Sequence, residues 1–326
     1  MWISIVLFIF GFILLIKGAD FLVNGSSALA KRTKVSGLVV GLTLVAFGTS
    51  LPELVINVTA SFRGMPDVVI GNILGSNITN MLLILGLSSL ISPLRLKKDT
   101  TWKEIPYSFL AGALVLFLMN SYLLDMVDFA GLSIGDGLIL LLFFIIFLFY
   151  IFYLSKKDMT AEDKPAHQKK EISGLLSLRR AIFYVVAGLA GLVIGGSWIV
   201  NGVTALATAL GASTSLIALT IVALGTSLPE LATSAVAVWK KNFDIAVGNI
   251  IGSNIFNIFF ILGISVIIAP IPFSSIVNRD ILMVMVASLL LFLFMFTGRR
   301  HILQRWQGGL FVLLYVAYVY FLILCD

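Results

Sequence analysis

The sequence predicts an all-α polytopic membrane protein, with ten transmembrane helices arranged as two inverted five-helix repeats. Three observations predict it. The chain is 60% hydrophobic and 12% charged, whereas soluble domains carry about 25% charged residues. Its apolar residues gather in ten runs of about 20 residues, the length that crosses a bilayer as a helix. The sequence also matches itself when shifted by 177 residues.

The ten runs cover residues 2–23, 37–61, 68–92, 105–123, 133–154, 181–202, 214–238, 244–268, 280–297 and 307–324. They are continuously apolar and lack the alternation of barrel strands, so helices are expected, not a closed barrel. The first run is followed by nine others and by no small-residue cleavage site. It reads as a retained helix, not a signal peptide. Cys325 is the single cysteine, and the two histidines, His167 and His301, fall in expected loops. No cofactor is expected, and a zinc or haem site built on His and Cys is disfavoured.

The net charge is +6, and topology accounts for it without nucleic acid. When loops are assigned to alternate sides, 19 Lys and Arg residues fall on one side. Seven of them lie between Lys156 and Arg180. Only Arg63 and Arg279 fall on the other side, and Lys17 lies within the first run. The positive-inside rule makes the basic side cytoplasmic. Both termini are then external, in a multi-pass protein of the plasma membrane. Trp102, Trp239 and Trp306 lie near span ends, where interfacial tryptophans belong. The lipid bilayer is the expected partner, and no obligatory protein partner is evident.

The repeat organises the chain. GLVVGLTLVAFGTSLPELVINV (37–58) lies over TSLIALTIVALGTSLPELATSA (214–235), and DVVIGNILGSNITNMLL (67–83) over DIAVGNIIGSNIFNIFF (244–260). The halves are residues 1–154 and 181–326, joined by a polar linker, 155–180, expected to be cytoplasmic. Five spans per copy is an odd number, so the second copy enters the membrane from the opposite side. Inverted repeats of this kind are typical of secondary transporters, whose sites lie near the midplane. The alternative is duplication without a transport role. The repeated segments, however, also carry the buried polar groups.

Runs 1 and 6 carry glycines at matching intervals of seven: Gly11, Gly18 and Gly25, then Gly188, Gly195 and Gly202. Seven residues are about two helical turns, so each set forms a smooth stripe. Small residues in such a stripe permit tight static packing. They would also let the two helices slide across the rest of the bundle.

Glu53 and Glu230 are the acidic residues deep inside apolar runs. A charge at the bilayer centre costs about 2.5 kcal/mol or more, so an intramembrane carboxylate is a functional candidate. The alternative is a protonated structural Glu. No basic residue occurs at equivalent depth, which favours mobile cations as partners. Pro52 and Pro229 directly precede the two glutamates. A proline inside a helix frees the carbonyl four residues earlier, here that of Gly48 or Gly225. Thr49 and Ser50 precede Glu53 by four and three residues and share its helix face, and Ser76 and Asn80 lie four apart. The second copy supplies Thr226, Ser227, Glu230, Ser253 and Asn257. An all-oxygen set suits hard cations, and a dry one suits Ca²⁺ or Na⁺ over Mg²⁺. Two carboxylates balance one Ca²⁺ or two Na⁺. Crossing with an empty site would carry two buried negative charges, and this enforces antiport.

The paired GTSLPE motifs, with GNILGSNITN and GNIIGSNIFN, resemble the two α-repeats of the cation/Ca²⁺ exchanger superfamily. The nearest resemblance is to its compact prokaryotic Na⁺/Ca²⁺ exchangers, and it covers essentially the whole chain. It implies a central core of helices 2, 3, 7 and 8, with helices 1 and 6 as the moving pair. It implies electrogenic exchange, with more than two Na⁺ entering for each Ca²⁺ expelled. Carried over by motif position, Glu53 and Glu230 would be shared ligands. Thr49, Ser50, Thr226, Ser227, Ser76, Ser253 and the carbonyls of Ala46 and Ala223 would assist them. Asn80 and Asn257 would complete the central position. Some relatives, K⁺-dependent exchangers among them, carry Asp where this chain has Asn257, so the central position here is neutral.

The competing expectation is a Ca²⁺/H⁺ antiporter of the same superfamily, with the glutamates carrying protons. The hydroxyl-rich GTS segments and the asparagine pair favour Na⁺. A cation channel and an enzyme fit less well. Two carboxylates could do acid–base work, but no nucleophile, metal triad or cofactor motif accompanies them.

Overall fold

A computed structural model describes residues 2–121, 129–161, 176–209 and 223–325. The molecule is mostly helical. The helices are α1 Trp2–Thr33, α2 Gly37–Thr49, α3 Leu51–Phe62, α4 Pro66–Ile91, α5 Thr100–Met119 and α6 Ile134–Ala161. They continue as α7 Leu178–Ala209, α8 Ala223–Thr226, α9 Leu228–Trp239, α10 Phe243–Ile268, α11 Ser275–Phe294 and α12 Arg305–Cys325. Among the described residues, eight helices are long and apolar enough to cross a membrane, and nine if the bent pair α2–α3 is one span. Helices are the form an apolar chain must take in lipid, because each satisfies its own backbone hydrogen bonds. Three expected features fall partly outside the described residues. They are 122–123 of the fourth run, 214–222 of the seventh, and 162–175 of the linker with His167.

Helix lengths exceed the apolar runs. The first run ends at 23, but α1 continues to Thr33 through NGSSALAKRT. Hydropathy reports the thickness of lipid, whereas this polar extension is still compatible with helix. Burial also differs among helices of similar apolarity. Of the most apolar window, 72% is buried in α4 and 83% in α10, against 17% in α12. Composition alone does not separate lipid-facing from protein-facing surface, since both are apolar.

The repeat is visible in the element boundaries. The turn residue before α3 is Ser50 and that before α9 is Ser227, which are 177 apart. In α4 a π-helical stretch begins at Thr79, and in α10 at Phe256, again 177 apart. The helix α3 is followed by Gly64 at φ 64° and α9 by Lys241 at φ 61°. The turn needs a left-handed residue after the helix end. Glycine supplies it freely in the first copy, and lysine is forced into it in the second.

The chain divides into two compact units, each drawing on both copies: residues 1–49 with 148–249, and 50–147 with 250–326, so that α6 and α10 each contribute to both. In the first unit α1 packs along α7 through the glycine stripes. A methyl group on Gly18 would lie 2.8 Å from the amide nitrogen of Leu192 and 2.9 Å from the carbonyl oxygen of Gly188. One on Gly195 would lie 2.7 Å from the nitrogen of Leu15 and 2.8 Å from the oxygen of Gly11. The second contact is the first with the two copies exchanged. These glycines therefore hold α1 against α7 at backbone contact, a distance that no larger residue permits.

The second unit shows the same exchange in two short antiparallel ladders. Strand β1 (Leu94–Arg95) pairs with β4 (Ile302–Leu303), and β2 (Gly131–Leu132) pairs with β3 (Ile271–Pro272). In this unit α3 packs against α4 and against the π-helical stretch of α10. The segments bearing Glu53, Ser76, Asn80 and Asn257 thus belong to neighbouring elements.

Candidate functional site

The two proline-glutamate motifs take one local form. Ser50 (φ −83°, ψ 8°) and Ser227 (φ −86°, ψ 3°) interrupt the helical run, and a new helix starts one residue later. At Ser50 the chain bends by 48°. Pro52 and Pro229 lie in the first turn of the new helices. There the missing N–H is one that no helix partner would have used. The sequence suggested a proline inside a continuous helix; the structure places it at a helix start. Glu53 and Glu230 follow in the same first turn, where the helix dipole favours negative charge. Ser-Leu-Pro-Glu has the composition of a capping box, yet neither serine makes a side-chain capping hydrogen bond.

In the first unit, Glu230 is fully buried, as are Thr49, Thr233, Ser234 and Asn249. Ala46, Thr226 and Ser227 are buried too. The Thr49 hydroxyl donates to Asn249 Oδ1 at 3.0 Å, with the carbonyl of Ala46 at 3.3 Å as a second acceptor. Asn249 Nδ2 then donates to Ser234 Oγ at 3.1 Å. This chain fixes the rotamer of Thr49. The Ser227 hydroxyl and the Thr233 hydroxyl are buried without a hydrogen-bond partner. Ala223 begins the short helix α8. Gly48 and Gly225 lie against side chains of α7, Leu189 and Val200, which would have to shift to admit a Cβ.

In the second unit, Glu53 is 1% exposed, and Ser50, Ser76, Asn80, Ser253 and Asn257 are buried with it. Asn57 Nδ2 donates to the carbonyl of Glu53 at 2.7 Å. The Ser76 hydroxyl and the side-chain oxygens of Asn57, Asn80 and Asn257 have no hydrogen-bond partner. Asn80 and Asn257 lie in the π-helical stretches Thr79–Ile84 and Phe256–Leu262, a form frequent at functional sites. Buried oxygens with no donor are what a hard cation takes as ligands.

Every sequence-expected site residue whose side chain the structure describes is buried. Within the first unit the structure brings together Ala46 and Thr49; Thr226, Ser227 and Glu230 share the α8–α9 junction. Within the second, Ser50 and Glu53 share the start of α3, which neighbours the helices bearing Ser76, Asn80 and Asn257. Sequence reasoning passed over Asn57, Asn77, Ser234, Asn249 and Asn254. The signal was present, since Asn77, Asn249 and Asn254 all lie in the repeated GNxxGSN segments. Glu104 is also buried, at 1% exposure, one residue before the fourth apolar run.

The chain is similar along nearly its whole length to known proteins of one family. The family described as sodium/calcium exchanger protein matches residues 3–153 and 180–324. The chain is 36% identical to the putative antiporter CaxA of Alkalimonas amylolytica, over 99% of each chain. It is 33% identical to the sodium/calcium exchanger MaX1 of Methanosarcina acetivorans, over 97% of each. Among solved structures it resembles the sodium-calcium exchanger NCX_Mj soaked with 10 mM Na⁺ and zero Ca²⁺. The TM-score is 0.81, at 34% identity over 97% of each chain.

Proposed function

This chain belongs to the sodium/calcium exchanger family, and we propose that it is a secondary active antiporter exchanging Na⁺ for Ca²⁺ by alternating access. Glu53 and Glu230 share the transported ions near the midplane of the membrane. The observation that carries this reading is the pair of buried carboxylates, each in the first turn of a helix that restarts inside an apolar span.

The chemistry follows from charge balance. Two carboxylates neutralise one Ca²⁺ or two Na⁺, and the neutral oxygens complete the shells without adding charge. Those oxygens are the hydroxyls of Thr49, Ser50, Ser76, Thr226, Ser227 and Ser253, the carbonyls of Ala46 and Ala223, and the amides of Asn80 and Asn257. Either load leaves the site near neutrality. An unloaded site would carry its negative charge through a medium of low dielectric, and that penalty couples the two fluxes. A third Na⁺ in place of Ca²⁺ would move net charge and make exchange electrogenic.

The fold proposed is ten helices in halves 1–154 and 181–326, joined by the cytoplasmic linker 155–180. Contacts that recur when the copies are exchanged support a two-fold relation between them. With five spans in each copy that relation is an inversion. The termini then lie outside the cell, and α1 with α7 forms the moving pair.

The test is Ca²⁺ uptake into proteoliposomes driven by an outward Na⁺ gradient, with wild type, Glu53→Gln and Glu230→Gln. Wild type takes up Ca²⁺ and both variants lose exchange. Uptake that follows only a pH gradient would replace Na⁺ by H⁺ as the coupling ion. Retained activity in both variants would refute the site.

A further inference from the structure

Asn80 and Asn257 each present one face of an amide to the proposed site, and an amide has two unlike ends. The oxygen can ligate a cation and the NH₂ repels one. Something must set which end faces the ion.

The second unit contains that device. Asn77 Nδ2 donates to the backbone carbonyl of Asn254, and Asn254 Nδ2 donates to the backbone carbonyl of Asn77, both at 3.4 Å. Asn80 Nδ2 donates to Asn254 Oδ1 at 3.0 Å, and Asn257 Nδ2 to Asn77 Oδ1 at 3.1 Å. Each chain of bonds ends on a main-chain carbonyl, which only accepts. The amide of Asn77 must therefore turn its NH₂ to that carbonyl and its oxygen to Asn257. Asn257 must in turn offer its NH₂ to Asn77. Flipping either amide sets acceptor against acceptor. The same logic runs from Asn254 to Asn80, and a shift by 177 residues carries one chain into the other.

The consequence is an outward-facing oxygen at each end. Asn80 Oδ1 and Asn257 Oδ1 are buried and lack any hydrogen-bond partner. A buried acceptor left without a donor is unfavourable, here at two positions, unless a cation takes both. We infer that Asn77 and Asn254 are positioning residues that lock the amides of Asn257 and Asn80 with their oxygens toward the transported ion. This rests on the exchanger reading above, and adds to it two residues that touch no ion.

A double-mutant cycle in proteoliposomes tests it, using Asn77→Ala, Asn257→Ala and the double variant. The readouts are the half-saturating Na⁺ and Ca²⁺ concentrations and the maximal rate. Each single substitution is expected to raise the half-saturating concentration of the same ion by about tenfold. The double variant is expected to rise no further, since without the Asn257 amide there is nothing for Asn77 to orient. Effects that multiply to about a hundredfold would overturn the inference. So would a lower maximal rate and melting temperature with unchanged half-saturation, which is what a structural role produces. If Asn257→Ala raises half-saturation and Asn77→Ala does not, the positioning role fails and the site stands. If Asn257→Ala has no effect, the central ion position fails and the inference with it. The cycle of Asn254→Ala with Asn80→Ala repeats the test should Asn77→Ala not fold.

Discussion

Glu53 and Glu230 occupy one position in two copies of a motif, yet the residues four places later differ. After Glu53 comes Asn57, whose NH₂ turns back to the carbonyl of Glu53 and whose oxygen is left without a donor. After Glu230 comes Ser234, which accepts from Asn249 and so anchors the chain that reaches Thr49. The backbone follows the repeat closely, down to the break at Ser50 and Ser227. The polar partners at Asn57 and Ser234 do not. Duplicated scaffolds hold the same carboxylate in place while the surrounding hydrogen bonds diverge, so the two copies need not contribute equally to ion binding.

The sharpest way to break that comparison is at the carboxylates themselves. Glu53→Gln and Glu230→Gln are each expected to lower Na⁺-driven Ca²⁺ uptake by about a hundredfold or more, equivalent to about 2.7 kcal/mol. On the proposed reading, each change removes half of the fixed charge that would balance Ca²⁺. Similar residual rates would show that the divergent neighbours are secondary. A large difference would show that one copy dominates.

The glycine stripes test the part of the molecule where the copies are equivalent. Gly18→Val and Gly195→Val each force a branched side chain against main-chain nitrogen and oxygen closer than 3.0 Å. Overpacking of this kind costs about 1–3 kcal/mol, occasionally more. Both variants are expected to lower the melting temperature of the purified protein by similar amounts. Unequal shifts would show that the exchange symmetry of the α1–α7 contact is not energetic.

Much of this was legible in the sequence. The repeat marked the two motif segments that the structure shows in one local form, and an acidic residue deep inside an apolar run singled out Glu53 and Glu230, both of which the structure buries. The glycine spacing marked α1 and α7, although it could not say that the stripes face each other. Three things were not legible. Hydropathy stopped α1 at residue 23, because lipid thickness is not helix length. It could not separate α4 and α10, mostly buried, from α12, mostly exposed, because protein and lipid are equally apolar neighbours. And it gave no weight to Asn77, Asn249 and Asn254. An amide's role depends on which end it turns, and only its partners decide that.

Serine and asparagine at the divergent position give the next prediction. Ser234→Ala removes the acceptor of a buried NH₂ on Asn249, which costs about 1–3 kcal/mol. It also loosens Thr49. Asn57→Ser is expected to cost less stability. A serine four residues after Glu53 can still donate to its carbonyl, and the orphaned amide oxygen disappears. Thermal melts of the two variants are expected to place Ser234→Ala below Asn57→Ser. The reverse order would mean that Asn57, not Ser234, is the more constrained of the pair.

The smallest effect lies at the end of α9, beyond the buried site. There Lys240 pairs with Asp20 and donates to Asn24 Oδ1 at 2.6 Å, tying the last turn of the second motif helix to α1. The equivalent residue of the first copy is Arg63, so the two copies keep a cation at this place. The Lys240 and Asp20 side chains are 26% and 38% exposed, so solvent screens the pair, and pairs of this kind contribute about 0.2–1 kcal/mol. Lys240→Met is therefore expected to lower the melting temperature only slightly, by an amount that shrinks as salt is raised. A salt-independent loss would assign the effect to the lysine's packing. A loss as large as that of Gly18→Val would make this tie, and not the glycine contact, the main attachment of α1 in its unit.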